Sequence, residues 1–487
     1  MRFRKILFSI ILSAIICVSV KGQSRAPHSL YFMETIPQIL QMNPAYQPRA
    51  NVYVALPINF GFDIHSDLSV RNILQKQGND YYTPLEEQFD YKKFRRATGR
   101  KATMLNAGAN FEIIDFGFRT KIGYFSAGIS EHITAKIAFP SDFFKITENF
   151  FPENSVFDFS PLRVQGMAYM QLRFGYSRKI NEKLTVGVNM KPLFGQAAIT
   201  MRNKRFEMNT ALNEWILQGE GEILSSSPME VTRDSNNGIN VDNVYDDFAA
   251  MDLAKKYAKL KNSGIAFDLG ATYQIDERLS VSAALNNIGF ISWKQDLSGM
   301  TYNGRYTFEG LIIDVVDDDI NNIEIADKLF DNISDSLKFD PLSEKFRTGL
   351  LPVFYAGASY KLTSSLSAGF LSRTTFWQNG MRQSFNLSGF YQPYTFFAVN
   401  AGVTWQVKGN VYLGGGFTVF AGAVQFYFLT DYLPVFYSTV TINDGDKIPF
   451  VPLRQKTFTA RFGMNLVFGK HGNFNKPMLD KGVSGWN

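Results

Sequence analysis

Asp63, His65, Ser66 and Asp67 form the densest grouping of acid, imidazole and hydroxyl groups in the 487-residue chain, the raw material of a barrel hydrolase. A nucleophilic relay depends on geometry rather than sequence order. In an extended segment neighbouring side chains point to opposite faces, so Ser66 turns away from His65 and no such relay is expected. The other histidines, His28, His132 and His471, lie far apart, and Cys17 is the single cysteine. Histidine metal clusters, cysteine-based zinc and a disulfide framework are therefore not expected. No phosphate-binding glycine loop or metal-binding helix motif is present. The reading is of a non-enzyme without metal or cofactor.

The polar residues of greater interest are Arg163, Arg173, Lys191, Asp268 and Arg461, and what singles them out is the pattern around them. In 457–468 (TFTARFGMNLVF) Phe458, Ala460, Phe462, Met464, Leu466 and Phe468 face one way, while Thr459, Arg461 and Asn465 face the other. The same period of two runs through 163–177, 184–191 and 265–275. Period two marks a strand with one apolar and one polar face. In 52–64 (VYVALPINFGFDI) it persists for 13 residues, about 43 Å of strand, against five or six residues in an ordinary globular strand.

Long strands with charged residues on the inner face describe a transmembrane antiparallel β-barrel, which must close because lipid satisfies no backbone hydrogen bond. Hydrophobic residues are 45% and charged residues 19%, which excludes disorder. Strands are expected near 51–65, 101–117, 120–138, 161–179, 183–201, 263–275, 278–294, 345–361, 365–376, 382–392, 395–407, 410–419, 422–430 and 456–469. That makes 14, with short turns at one end and long loops at the other. Strand-like pieces at 204–227 and 300–313 extend the hairpins outward, or raise the count to 16 if they enter the wall. Trp293, Trp377 and Trp405 fall near the outer strand ends and would form an interfacial girdle.

Residues 1–22 have a basic start (Arg2, Arg4, Lys5), an apolar run from Ile6 to Val20, and small residues at Val20 and Gly22. This is the pattern of a cleaved export signal. Bulky Ile16 before Cys17 does not suit a lipoprotein site. Removing Arg2, Arg4, Lys5 and Lys21 takes 50 basic residues to 46 against 44 acids, so the mature charge is +2 and the basic pI does not indicate nucleic acid. The expected organisation is a signal peptide at 1–22, a plug-like or periplasmic segment at 23–50, the barrel at 51–469 and a periplasmic tail at 470–487. The expected location is the outer membrane of a Gram-negative cell.

Two loops carry strong charge. Residues 314–340 hold nine acids and two lysines with helical apolar spacing, suggesting a lid. Residues 91–101 hold Lys92, Lys93, Arg95, Arg96, Arg100 and Lys101, suited to lipopolysaccharide phosphates.

The stretch from Tyr31-Phe32-Met33 to Asn43-Pro44-Ala45-Tyr46, ahead of a 14-strand barrel, resembles the start of an uncharacterised family of Bacteroidota outer-membrane barrels. It is also similar to the hatch segment of FadL-type transporters and to PorP/SprF-like barrels linked to type IX secretion. The FadL resemblance implies passive movement of a small hydrophobic or amphipathic compound past a plug that includes Asn43, Pro44, Ala45 and Tyr46. It also implies a lateral opening at a kinked third strand, where Gly123 and Gly128 fall. The PorP/SprF resemblance implies the alternative, an accessory barrel anchoring a secretion or surface-complex protein. Either way the surroundings would be outer-membrane lipid and lipopolysaccharide.

Overall fold

The computed structural model describes residues 27–469 except 79, 85, 87, 100, 150–153, 212–213, 228–230, 234–238, 242–261, 309–338, 378–379, 408–410 and 442–446. Residues 1–22, expected as a signal peptide, residues 314–338 of the acidic 314–340 stretch, and residues 470–487, expected as a tail, lie outside the described residues.

Fourteen antiparallel strands form a closed barrel. In order they are Val52–Ala55 continuing as Asn59–Ser66, Ala102–Arg119, Tyr124–Pro140, Arg163–Lys179, Leu184–Thr210, Ser263–Gln274 and Leu279–Trp293. Then come Phe346–Gly349 continuing as Val353–Lys361, Leu366–Trp377, Gly380–Tyr394, Phe397–Gln406, Val411–Ala421, Val424–Leu433 and Thr457–Phe468. The last strand pairs with the first, from Val52 opposite Phe468 to His65 opposite Thr457, which closes the ring.

Burial is inverted relative to a water-soluble protein. Ile58, Ile64, Phe174, Leu269, Phe370 and Phe462 point outward and are exposed, whereas Asp63, Asp115, Arg173, Asp268 and Arg461 point inward and are buried. An apolar belt around a polar interior is stable where the belt meets hydrocarbon.

Three of the short turns use one device. The side chains of Asn181, Asp276 and Thr363 each accept from the backbone N–H groups two and three residues on, ending at Leu184, Leu279 and Leu366. Such side-chain-to-backbone turns need a short polar residue at the first corner.

Bulges re-aim the inner face. Pro57, which lacks an N–H, interrupts the first strand, and between Ala55 and Phe60 that strand spends two more residues than the fourteenth. In the second strand Ile113 is extra relative to the third, so Ile113 and Ile114 both face lipid while Glu112 and Asp115 both face inward. In the seventh strand an irregularity opposite Asp268 leaves Asn287 at positive φ, a conformation asparagine tolerates.

The fifth strand, at 27 residues, outgrows the wall. Its lower half pairs with the sixth strand, and residues 198–210 pair with Trp215–Ser226, which in turn pairs with Gly299–Phe308. The pieces at 204–227 and 300–308 are therefore a projecting sheet rather than staves, and the count is 14 rather than 16.

Two expectations are corrected here. Trp293 does not belong to an interfacial girdle: it is fully buried, its indole N–H donates to Thr348 Oγ1 at 2.9 Å, and its ring covers Gly195. Trp405 does face outward, and the side chain of Trp377 lies outside the described residues. The third strand carries no extra residue at Gly128; the irregularity beside it, at Ile113, belongs to the second strand. The ladder of the third strand to the fourth runs without a register shift from Tyr124 opposite Ser177 to Ala138 opposite Arg163. Gly123 precedes the strand, in the turn, where Thr120 N–H donates to its carbonyl.

Candidate functional site: the filled lumen

Residues 27–50 lie inside the barrel, as two short 3-10 turns (His28–Leu30 and Pro37–Gln41) joined by further turns in which Met33 N–H donates to the Leu30 carbonyl and Ile36 N–H to that of Met33. So short a segment cannot bury its own apolar side chains, and the barrel supplies the surface. Leu30, Tyr31, Phe32, Met33, Ile36 and Met42 pack against Val353, Tyr355, Leu371, Phe390, Leu429 and neighbours, from strands eight to thirteen. Each such side chain removed from water contributes roughly 1.5–3 kcal/mol. Gly357 and Gly369 leave room for the rings of Tyr31 and Phe32. The Tyr31 hydroxyl lies 3.1 Å from Ser282 Oγ and accepts from Asn43 Nδ2 at 3.3 Å.

Polar anchors complete the fit. The His28 imidazole lies between Asp431 (Nδ1 to Oδ2, 2.9 Å) and Ser384 (Nε2 to Oγ, 2.9 Å), and the backbone N–H of His28 also donates to Asp431. This acid–imidazole–hydroxyl order matches that of a nucleophilic relay. Here it joins the leading segment to strands thirteen and ten, with all three residues buried, and it works as a clamp. Gln38 donates to Asn465 Oδ1 at 2.9 Å and to Glu112 at 3.1 Å, and Gln41 donates to Glu112 at 2.8 Å. Asn286 donates to the carbonyls of Gln41 and Met42, both at 2.9 Å.

Asn43, Pro44 and Ala45 form a tight turn in which Asn43 Oδ1 accepts from Ala45 N–H at 2.9 Å. The turn rests on Gly187 and Gly270, where any Cβ would overlap Pro44 and Asn43. Tyr46 donates to or accepts from Ser282 at 3.2 Å.

Of the five polar residues read from the sequence, four meet in the lumen. Arg173 pairs with Asp115 at 2.6 Å, Lys191 with Asp268 at 2.5 Å, and Arg461 with Glu112. Arg461 also donates to Gln41 Oε1 at 2.8 Å, tying this network to the segment. Asp268 further accepts from Asn189 at 3.0 Å and from Asn287 N–H at 2.8 Å. Gly128 is the neighbour of Asp115 on the third strand, where a Cβ would crowd its carboxylate. Arg163 does not join them. It lies exposed at the outer end of the fourth strand, donating to the carbonyls of Ser160 and Leu162. His65 bonds Thr457 at 2.6 Å, and Ser66 accepts from Leu68 N–H, so the Asp63–Asp67 grouping makes no relay.

The segment separates two cavities. One, toward the short turns, is lined by Phe32, Tyr46 and Arg49 with Lys361, Ser365 and Gln392. The other, farther up the strands, is lined by Gln41 with His132, Tyr169, Arg173, Lys191, Tyr355, Arg373 and Arg461. Glu112, Asp115, Arg373, His28 and Asp431 were not singled out in the sequence. The i, i+3 glutamines Gln38 and Gln41 are the local signal that a segment preceding a barrel is built to hydrogen-bond a polar wall.

The molecule is thus a transmembrane barrel whose lumen is occupied by its own leading segment. The chain belongs to the family of unknown function DUF5723, whose model matches residues 44–431. Among solved structures it is similar to the toluene transporter TbuX of Ralstonia pickettii, at 10% identity and TM-score 0.43, covering 93% of this chain and 96% of that one. It is similar to the monoaromatic hydrocarbon channel CymD, at 13% identity and TM-score 0.42, covering 92% and 98%. A FadL homologue from Pseudomonas aeruginosa is similar at 9% identity and TM-score 0.40, covering 92% and 99%. No curated protein sequence matches the chain.

Proposed function

We propose that this protein is a FadL-like outer-membrane barrel that passes a small amphipathic compound without energy coupling, with residues 27–50 as its plug. The observation that supports this reading is the partition of the lumen. The segment stands between a cavity on the short-turn side and another higher up, and it is held by side chains that can exchange partners rather than by covalent links. The polar lining favours an amphipathic over a purely hydrophobic cargo. The unbroken third strand favours a route past the plug over a lateral one. Outside the lipid, the exposed Lys92, Lys93, Arg95 and Arg96 of the helix Tyr91–Ala97 suit lipopolysaccharide phosphates.

A second reading, an accessory barrel that anchors a secretion or surface complex, is favoured by one feature. The outer hairpin Ser438–Thr441 and Lys447–Val451, with the residues before it, exposes Phe436, Tyr437, Ile448 and Phe450. Purification of the full chain in mild detergent, followed by mass spectrometry of bound compounds and proteins, separates the two. A reproducible small amphiphile without a protein partner is expected. A stoichiometric protein partner and an empty lumen would replace the first reading with the second.

A further inference from the structure

The upper cavity has a one-sided charge. Arg173, Lys191, Arg373 and Arg461 reach it from strands four, five, nine and fourteen, and no aspartate or glutamate is among the described residues that line it. Asp115, Asp268 and Glu112 pair with three of these cations from outside the lining, and the buried Asp63 and Asp431 act electrostatically on Arg373, also from outside it. The carboxylates therefore fix where the cations point, while the cations present themselves to the cavity. Arg461 is 3% exposed, and its Nε is buried without a hydrogen-bond partner although its terminal nitrogen is used. Arg373 lies over the Tyr355 ring, 5.6 Å from its centroid, which holds the guanidinium plane against the wall.

Fixed guanidinium groups in a low-dielectric enclosure attract a carboxylate or phosphate more strongly than they would in water. Apart from Leu351 and Val353, the apolar surface of the cavity is the rings of Tyr169 and Tyr355, too little for a long chain. We infer that this cavity is a binding site for a small anion, a carboxylate or phosphate group on a short or aromatic body. The inference rests on the transport reading only in making this anion the cargo; the site itself stands on the lining.

The test is calorimetric titration of the purified full-length barrel with benzoate, with neutral benzamide as the matched control, and with inorganic phosphate. Saturable benzoate binding that weakens with added sodium chloride is expected, with none for benzamide. Arg373→Gln should weaken benzoate about tenfold, the scale of one charge-assisted hydrogen bond, and Arg373→Lys should restore most of it. Heat-modifiable migration in gels verifies that each variant is assembled; if Arg373→Gln is not, the salt dependence and the benzamide control on the natural chain decide. Equal binding of benzoate and benzamide, or unchanged binding in an assembled Arg373→Gln barrel, overturns the inference. Micelles doped with phosphatidylglycerol form a further arm. Competition with benzoate by this lipid but not by phosphate overturns the small-solute assignment in favour of a lipid headgroup. Flux of benzamide but not benzoate into barrel-containing vesicles would overturn the anion as cargo and leave transport standing. Benzoate binding without flux of either would overturn transport and leave the site standing.

Discussion

Gly187 and Gly270 face each other across the ladder between the fifth and sixth strands, and the Asn43–Pro44 turn occupies the space that side chains would fill. A wall stave pair has been left bare so that the leading segment can dock at van der Waals distance. Gly187→Val should therefore lift the turn off the wall. Overpacking of this kind costs about 1–3 kcal/mol. The expected result is a lower midpoint of heat-modified gel migration and faster protease cleavage within residues 27–50, with the strands still assembled.

The clamp at His28 should be stronger than the turn. Asp431→Ala leaves the imidazole and the backbone N–H of His28 without their acceptor. Breaking a buried charged contact from one side costs about 3–5 kcal/mol. In planar bilayers this variant should show larger and longer open conductance steps than the natural chain. Unchanged conductance, with the segment demonstrably cleavable, would mean that the segment does not obstruct the lumen.

The Arg173–Asp115 pair separates anchoring from packing. Asp115→Ala should destabilise the barrel by about 3–5 kcal/mol, because Arg173 and Tyr53 lose a shared acceptor. Replacing both partners, with Arg173→Met and Asp115→Leu, should recover most of that loss, since matched apolar groups need no partner. Urea unfolding in detergent followed by tryptophan fluorescence measures the difference.

At the outer rim Asp67 offers a pH signature. Burial pushes its carboxyl up, but the hydrogen bond with His65, the Met104 N–H at 2.9 Å and the Arg382 guanidinium at 3.2 Å outweigh this and hold it below its ordinary value. A carboxyl with a depressed folded pKa contributes fully above its unfolded value of about 3.9 and loses that contribution as pH falls through the folded value. The thermal midpoint of the natural chain should thus exceed that of Asp67→Asn by a constant margin above about pH 5, and the margin should close below about pH 4. A margin independent of pH would place the effect elsewhere.

The barrel was legible because period two is a direct imprint of a wall with lipid on one side. Phe458, Phe462 and Phe468 against Thr459, Arg461 and Asn465 leave little choice of face. The inner network was half legible. Arg173, Lys191 and Asp268 fall on clean alternation, but Glu112 and Asp115 have opposite parity, and only the extra residue at Ile113 turns both inward. Bulges are set by pairing with neighbours, which a single strand does not encode. Trp293 misled for a related reason. Its position at a strand end suits an interface, yet Gly195 across the chain opens a slot for it inside. His28 was the hardest to place, because its partners lie 356 and 403 residues away.

The leading segment touches nearly every part of the ring: Asp431 and Ser384 late in the chain, Asn286 in the middle, Glu112 early. It also runs straight into the stave that forms one side of the closing seam. The partners that hold the segment thus come from both ends of the chain, and its berth is complete only when the ring is closed.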